Sequence, residues 1–157
     1  MRLTFLLVSL LLLTVQAARA GHTPKTEIFL RVHVQTGGQG LSPQEAMTVT
    51  IPPDNDTLLV RAMPEVTEHN LVDVKADASG EVRLFFDHQG QVNLNAVTAE
   101  NQGRILVVMI NGVVVYAPTI DEQIGTGELD IPRQLNPLAI KLLQDTAQQN
   151  VKEANRK

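Results

Sequence analysis

The sequence has no cysteine among its 157 residues, which removes disulfides and thiolate metal sites at once. Any fold it adopts has to rest on packing. Serine is almost as scarce, with Ser9, Ser42 and Ser79 the only three. None of them stands in a nucleophile elbow, so hydrolase chemistry has no visible start. The four histidines, His22, His33, His69 and His88, include no pair at i and i+4, the spacing that turns two imidazoles toward one zinc ion. His33 falls on the outward face of a strand and is expected at the surface. Basic charge is outweighed, 13 Lys and Arg against 17 Asp and Glu, which argues against nucleic acid as a partner.

Two further absences concern loops. Gly37-Gly38-Gln39-Gly40 has no following Lys and Ser or Thr opening a helix, so it is a connection and not a phosphate cradle. Asp54-Asn55-Asp56 lacks both the glycine of the sharp bend and the distal bidentate glutamate of a calcium loop. The carboxylate pairs Asp121-Glu122 and Glu128-Asp130 lie beside glycines in segments expected to be solvated, where acid–base work has no support. No catalytic residue, cofactor or metal ligand is assigned, and the chain is not expected to be an enzyme.

What is present begins with a secretory signal. Arg2 precedes an apolar run from Leu3 to Leu13, and the stretch finishes in Ala18-Arg19-Ala20, so residues 1–20 are expected to be cleaved after Ala20. No cysteine follows that could carry a lipid. Cleavage removes two of the 13 basic side chains and no acid, leaving 11 against 17 and a formal charge of −6. The longest later apolar run, Ile105–Ile110, has six residues, against the roughly 20 of a membrane-spanning helix. The mature chain is therefore expected in the periplasm or outside the cell, soluble and not membrane-spanning. At its length about two-thirds of the unfolded surface becomes buried, enough for one core. Residues 21–25 read as a polar leader, 26–147 as a single α+β domain, and 148–157 as a polar tail that frays.

Within the domain, Ile28, Leu30, Val32 and Val34 alternate with Phe29, Arg31, His33 and Gln35, the period-two pattern of a half-buried strand. Ser42-Pro43-Gln44-Glu45 has the form of a capping box, but too little apolar pattern follows for more than a short turn. Met47–Ile51 and Thr57–Ala62 flank a turn and pair as strands. Thr67 caps a single helical turn. Leu71–Ala78, with Val72, Val74, Ala76 and Ala78 on one face, forms a hairpin through Ser79-Gly80 with Glu81–Phe86. Asp87 or His88 then starts a helix with the stripe Gly90, Leu94, Val97 and Thr98, ended by Asn101-Gln102-Gly103. Arg104–Ile110 and Val113–Tyr116 are joined by Asn111-Gly112, the dipeptide suited to a type I′ turn. These strands are apolar on both faces, so they should lie centrally with helices on at least one side. A last short strand spans Glu128–Ile131, and Asn136-Pro137 opens a final helix. On it Leu138, Leu142, Asp145 and Gln149 fall on one line, and Ile140, Leu143 and Ala147 fill a neighbouring one. The expected sheet is mostly antiparallel, built of hairpins, with two helices packed on it.

One ordered pattern stands out between residues 72 and 131. It runs Phe86, Gly90, Thr98, Glu100, Asn101, Gly103, Asn111, Gly112, Ala117, Pro118, Ile120, Ile124 and Gly127. In that order it resembles the head subdomain of the first periplasmic domain of SecD, the translocon-associated membrane protein that assists protein export. Tyr116 departs from the family, which usually has a small polar residue there, and the course after Ile131 through Pro132 and Pro137 also differs. SecD proteins carry membrane-spanning helices that couple export to the proton gradient. None stands in this sequence, so the resemblance implies a free-standing secreted head without energy coupling.

The resemblance implies a binding or accessory domain in protein translocation that contacts unfolded or extended polypeptide, or a translocon component. Exposed strand edges can accept an extended peptide, with apolar neighbours receiving its alternate side chains. The contact residues expected on that basis are Asn111, Val113, Val115 and Tyr116. The alternative is a structural or inhibitor-like protein that uses the same hairpin edge to dock one folded partner or a second copy of itself.

Overall fold

The computed structural model describes residues 27–37, 42 and 44–156. The expected signal peptide, the polar leader and Gly38–Gly40 lie outside the described residues. The elements follow in the order β1 (Leu30–Val34), β2 (Ala46–Ile51), β3 (Asp56–Arg61), β4 (Val66–Thr67), a 3-10 turn (Glu68–Asn70), β5 (Leu71–Ala76) and β6 (Val82–Phe86). Then come α1 (His88–Glu100), β7 (Leu106–Ile110), β8 (Val113–Tyr116), β9 (Glu128–Ile131) and α2 (Pro137–Ala154). The architecture is α+β, with two helices and antiparallel pairing throughout the strands. The hairpins divide among three sheets, ordered β4-β1-β7-β8, β2-β3 and β5-β6-β9.

The main core forms where the first and third sheets meet both helices. Leu30, Val32 and Val34 of β1 and Leu106, Val108 and Ile110 of β7 turn inward. Leu84 and Phe86 of β6, Leu129 and Ile131 of β9, Leu94 and Val97 of α1, and Leu143 and Ala147 of α2 meet them there. Of the two lines expected on α2, the one through Leu143 and Ala147 faces this core, while Leu138 at the head of the other is exposed.

On the other face of β7 no helix packs among the described residues. Val107 and Val114 pack there against Val49 and Val60 of the β2–β3 hairpin. Gln35 extends β1 into a bridge with Val60, and Thr36 N–H donates to Leu59 O at 2.9 Å. The hairpin therefore folds over the polar side of β1, which corrects the expected place of His33. His33 is 3 % exposed, and its Nδ1 lies 2.8 Å from Arg61 O. A carbonyl only accepts, so Nδ1 carries the proton. Burial lowers the pKa of His33 below its ordinary value of 6.5, outweighing the bond to Arg61 that favours the charged form.

Two further differences come from contact with a second element. In β5 the buried residues are Leu71 and Val74, not a face of Val72, Val74, Ala76 and Ala78, because a register shift between Leu71 and Asp73 changes the phase of the alternation. Helix α2 continues past Gln148 to Ala154, tied down where Asn150 Nδ2 donates to Glu68 O and Leu71 O, both at 2.8 Å. Ser42 N–H and Oγ both donate to the Glu45 carboxylate, one half of a capping box, while Glu45 N–H goes to Ser42 O, and the chain passes straight into β2 as expected for no more than a short turn.

Candidate functional site

The β7–β8 hairpin turns at Asn111-Gly112 with φ of 50° and 80°, the two left-handed residues a type I′ turn requires. Asn111 Oδ1 accepts from Phe29 N–H at 2.9 Å, and Asn111 N–H donates to Phe29 O at 2.8 Å. Asn111 thus fastens the turn to the start of β1. Val113 beside it is 61 % exposed, whereas Val115 and Tyr116 are half-buried against the main core. Of the four contact residues expected from the sequence, Asn111 and Val113 are thus exposed and the other two are partly covered. Tyr116 borders a cavity.

That cavity is a groove of about 680 Å³ between the end of β8, the segment after it, and β9. Buried Leu106, Ile120 and Leu129 and half-buried Tyr116 and Ile124 give it an apolar floor. Exposed Asp121, Glu122 and Asp130 and half-buried Glu128 give it an acidic border. Strands β8 and β9 each end their sheet, and an edge strand leaves one row of backbone groups without ladder partners. Phe86 N–H donates to Gly127 O at 2.9 Å, and Leu84 pairs with Leu129. By the alternation of an antiparallel ladder, Leu129 bonds to β6 while Asp130 turns its N–H and C=O outward.

Several positions of the family pattern help to hold the segment 117–127 along this groove. Thr98 is fully buried; its Oγ1 donates to Leu94 O at 2.7 Å and accepts from Ile124 N–H at 2.9 Å. Gln91 Nε2 donates to Gly125 O at 2.7 Å, and Gln123 bonds to Asn95. Gly103 N–H donates to Ile120 O, Ile120 N–H to Arg104 O, and Leu106 N–H to Pro118 O. Asn101 is buried, with Nδ2 on Val97 O at 2.8 Å, closing α1. Gly90 admits no side chain, since a Cβ there would stand 2.8 Å from Phe86 Cβ and 2.9 Å from Asn70 Cβ. Gly127 has φ 75° and lies against Gln91. Ala117 packs on the second cluster, and Glu100 is exposed.

Electrostatically the groove border is not uniform. Arg83 of β6 reaches across β9 to Asp130, with Nε–Oδ1 at 2.5 Å and Nη2–Oδ2 at 3.0 Å, and stands 3.6 Å from Glu128. The hydrogen bonds to Asp130, more than its charge, raise the pKa of Arg83 above its ordinary value. Asp121 and Glu122 carry no such partner in the ion pairs found among the described residues. No group of three or more His, Cys, Asp or Glu among the described residues is placed to hold a metal ion.

A family model described as the SecDF P1 head subdomain matches residues 44–152. The chain belongs to that family. It is similar to the protein translocase subunit SecDF of Brucella abortus, at 27 % identity over 106 residues that make up 58 % of this chain and 14 % of that protein. The head family is thus represented here by a chain spanning about one-seventh of that relative's length. The fold also superposes on solved SecDF structures. One, described as a membrane component that enhances protein export, matches with a TM-score of 0.55 at 20 % identity, covering 78 % of this chain and 62 % of that one. Another, SecDF in a super-membrane-facing form, matches with a TM-score of 0.54 at 20 % identity, covering 76 % and 18 %. No helix among the described residues is long and apolar enough to cross a membrane.

Proposed function

We propose that this SecDF head acts in the periplasm or outside the cell as a non-catalytic accessory domain of protein translocation, holding exported polypeptide while it is still extended. The groove between Tyr116 and β9 carries the reading: it offers an apolar floor beside an unpaired strand edge, the two features that bind an extended chain without regard to its full sequence. The carboxylates beside it are exposed or joined to Arg83, which supports binding over acid–base chemistry. The contact set moves accordingly from the Asn111–Val115 end of the hairpin to Tyr116, Ile120, Ile124 and Leu129.

Site-specific photocrosslinking tests this. A photoreactive residue at Gln123 or Thr126 is expected to capture a reduced, unfolded secretory protein, and one at Val92 on the exposed side of α1 is not. Equal capture at the three positions, or none, would overturn the reading. Exposed Phe29 and Val113, 46 % and 61 % accessible and joined through Asn111, favour a second reading in which the turn end docks one folded partner. A single stoichiometric partner lost on Val113→Lys would select it.

A further inference from the structure

We propose that the groove binds by strand addition to β9 and selects extended segments in which apolar and basic residues alternate. This rests on the polypeptide-binding reading and specifies which polypeptides. Strand β9 itself alternates, with Leu129 and Ile131 buried in the main core and the acidic Glu128 and Asp130 on the opposite face. One edge of this strand is already read by a partner. On it β6 places Leu84 opposite Leu129, Val82 opposite Ile131, and Arg83 opposite Asp130, where the guanidinium takes both carboxylate oxygens. The pairing is apolar to apolar and basic to acidic, the cross-strand complementarity that stabilises an antiparallel ladder.

The other edge of β9 faces the groove and presents the same alternation to whatever lies beside it. A segment added there receives hydrogen bonds from Asp130 N–H and gives them to Asp130 C=O. Its inward side chains meet Tyr116, Ile120 and Ile124. Its outward side chains lie next to Glu128 and Asp130, with exposed Asp121 and Glu122 across the groove. Basic side chains there neutralise four carboxylates, of which Arg83 serves only Glu128 and Asp130, whereas acidic ones add like charge directly opposite. The occupant is therefore a polypeptide of positive local charge, matched to a chain whose own formal charge is −4.

Labelled peptides of one length titrated into the full chain provide the test. Alternating Val-Lys is expected to bind about tenfold more tightly than alternating Val-Glu, the sum of a few cross-strand pairs. That preference should shrink with added salt. The same valines and lysines grouped in two blocks, and Val-Lys N-methylated at alternate backbone nitrogens, should both bind weakly. Asp121→Lys with Glu122→Lys, both exposed and outside the core, should abolish the preference with thermal unfolding unchanged. Equal affinity for Val-Lys and Val-Glu would overturn the selectivity while leaving polypeptide binding in place. Undiminished binding of the blocked or N-methylated peptide would overturn strand addition. Binding of none would overturn both this inference and the reading on which it rests.

Discussion

The two faces of β7 are covered in different ways. On one, Leu106, Val108 and Ile110 enter a core fed by two sheets and both helices. On the other, Val107 shares a cluster of four buried valines with a single hairpin. Burial per residue is similar, since Val107 and Val108 are both fully buried, but the number of elements that must separate to expose them is not. Stability in such a molecule is graded, and a region held by few apolar contacts opens at lower free energy than the core it covers. The groove belongs to the better-held part, because its floor residues Leu106, Ile120 and Leu129 are members of the main core.

Single substitutions should separate the two regions. Leu94→Ala, which empties a fully buried position, should cost about 3 kcal/mol and lower the melting temperature of the whole domain. Gly90→Val forces α1 away from Phe86 and Asn70 and should cost about 2 kcal/mol in chemical denaturation. Val60→Ala should cost about 1.5 kcal/mol. Its signature is local, with faster amide exchange in β2 and β3 and unchanged exchange in β7; equal acceleration in both would mean that the hairpin does not open alone. Thr98→Val removes the acceptor of Ile124 N–H and should cost about 1 kcal/mol, with faster exchange confined to Ile120–Gly127.

The smallest expected effect is one of pH. His33 is neutral in the fold and has its pKa lowered by burial, so the unfolded chain takes up a proton first as pH falls through 6.5. Stability is flat above that value and declines below it. Arg31 opposes and Glu65 favours protonation, both weaker than burial. Unfolding followed from pH 7.5 to 5.5 should show this slope in the native chain and a shallower one in His33→Gln, with β2–β3 exchange the most sensitive reporter.

Elements whose signals are local were legible in the sequence. Asn111-Gly112 specifies its turn by backbone preference, Asp87 caps α1 with a 2.7 Å bond to Gly90 N–H, and the stripe Gly90, Leu94, Val97 and Thr98 is the buried face of that helix. What depends on a second element was not. Alternation in β1 marks one apolar face, but nothing in it reports that β2–β3 will cover His33 on the other. The phase change after Leu71 comes from pairing with β6, and the last turns of α2 are held by Asn150 reaching carbonyls some eighty positions earlier. The groove was half legible. Its floor residues Ile120 and Ile124 stand in the ordered family pattern, while its acidic edge is made by β9 meeting a segment fixed by α1, which no single stretch announces.

Amide hydrogen exchange of the chain with and without excess reduced, unfolded secretory protein tests the central claim most directly, since it reads both regions at once. New protection is expected at Tyr116 and Glu128–Ile131, with β2 and β3 unaffected. Unchanged exchange along β9, or protection confined to the turn at Asn111–Val113, would contradict it.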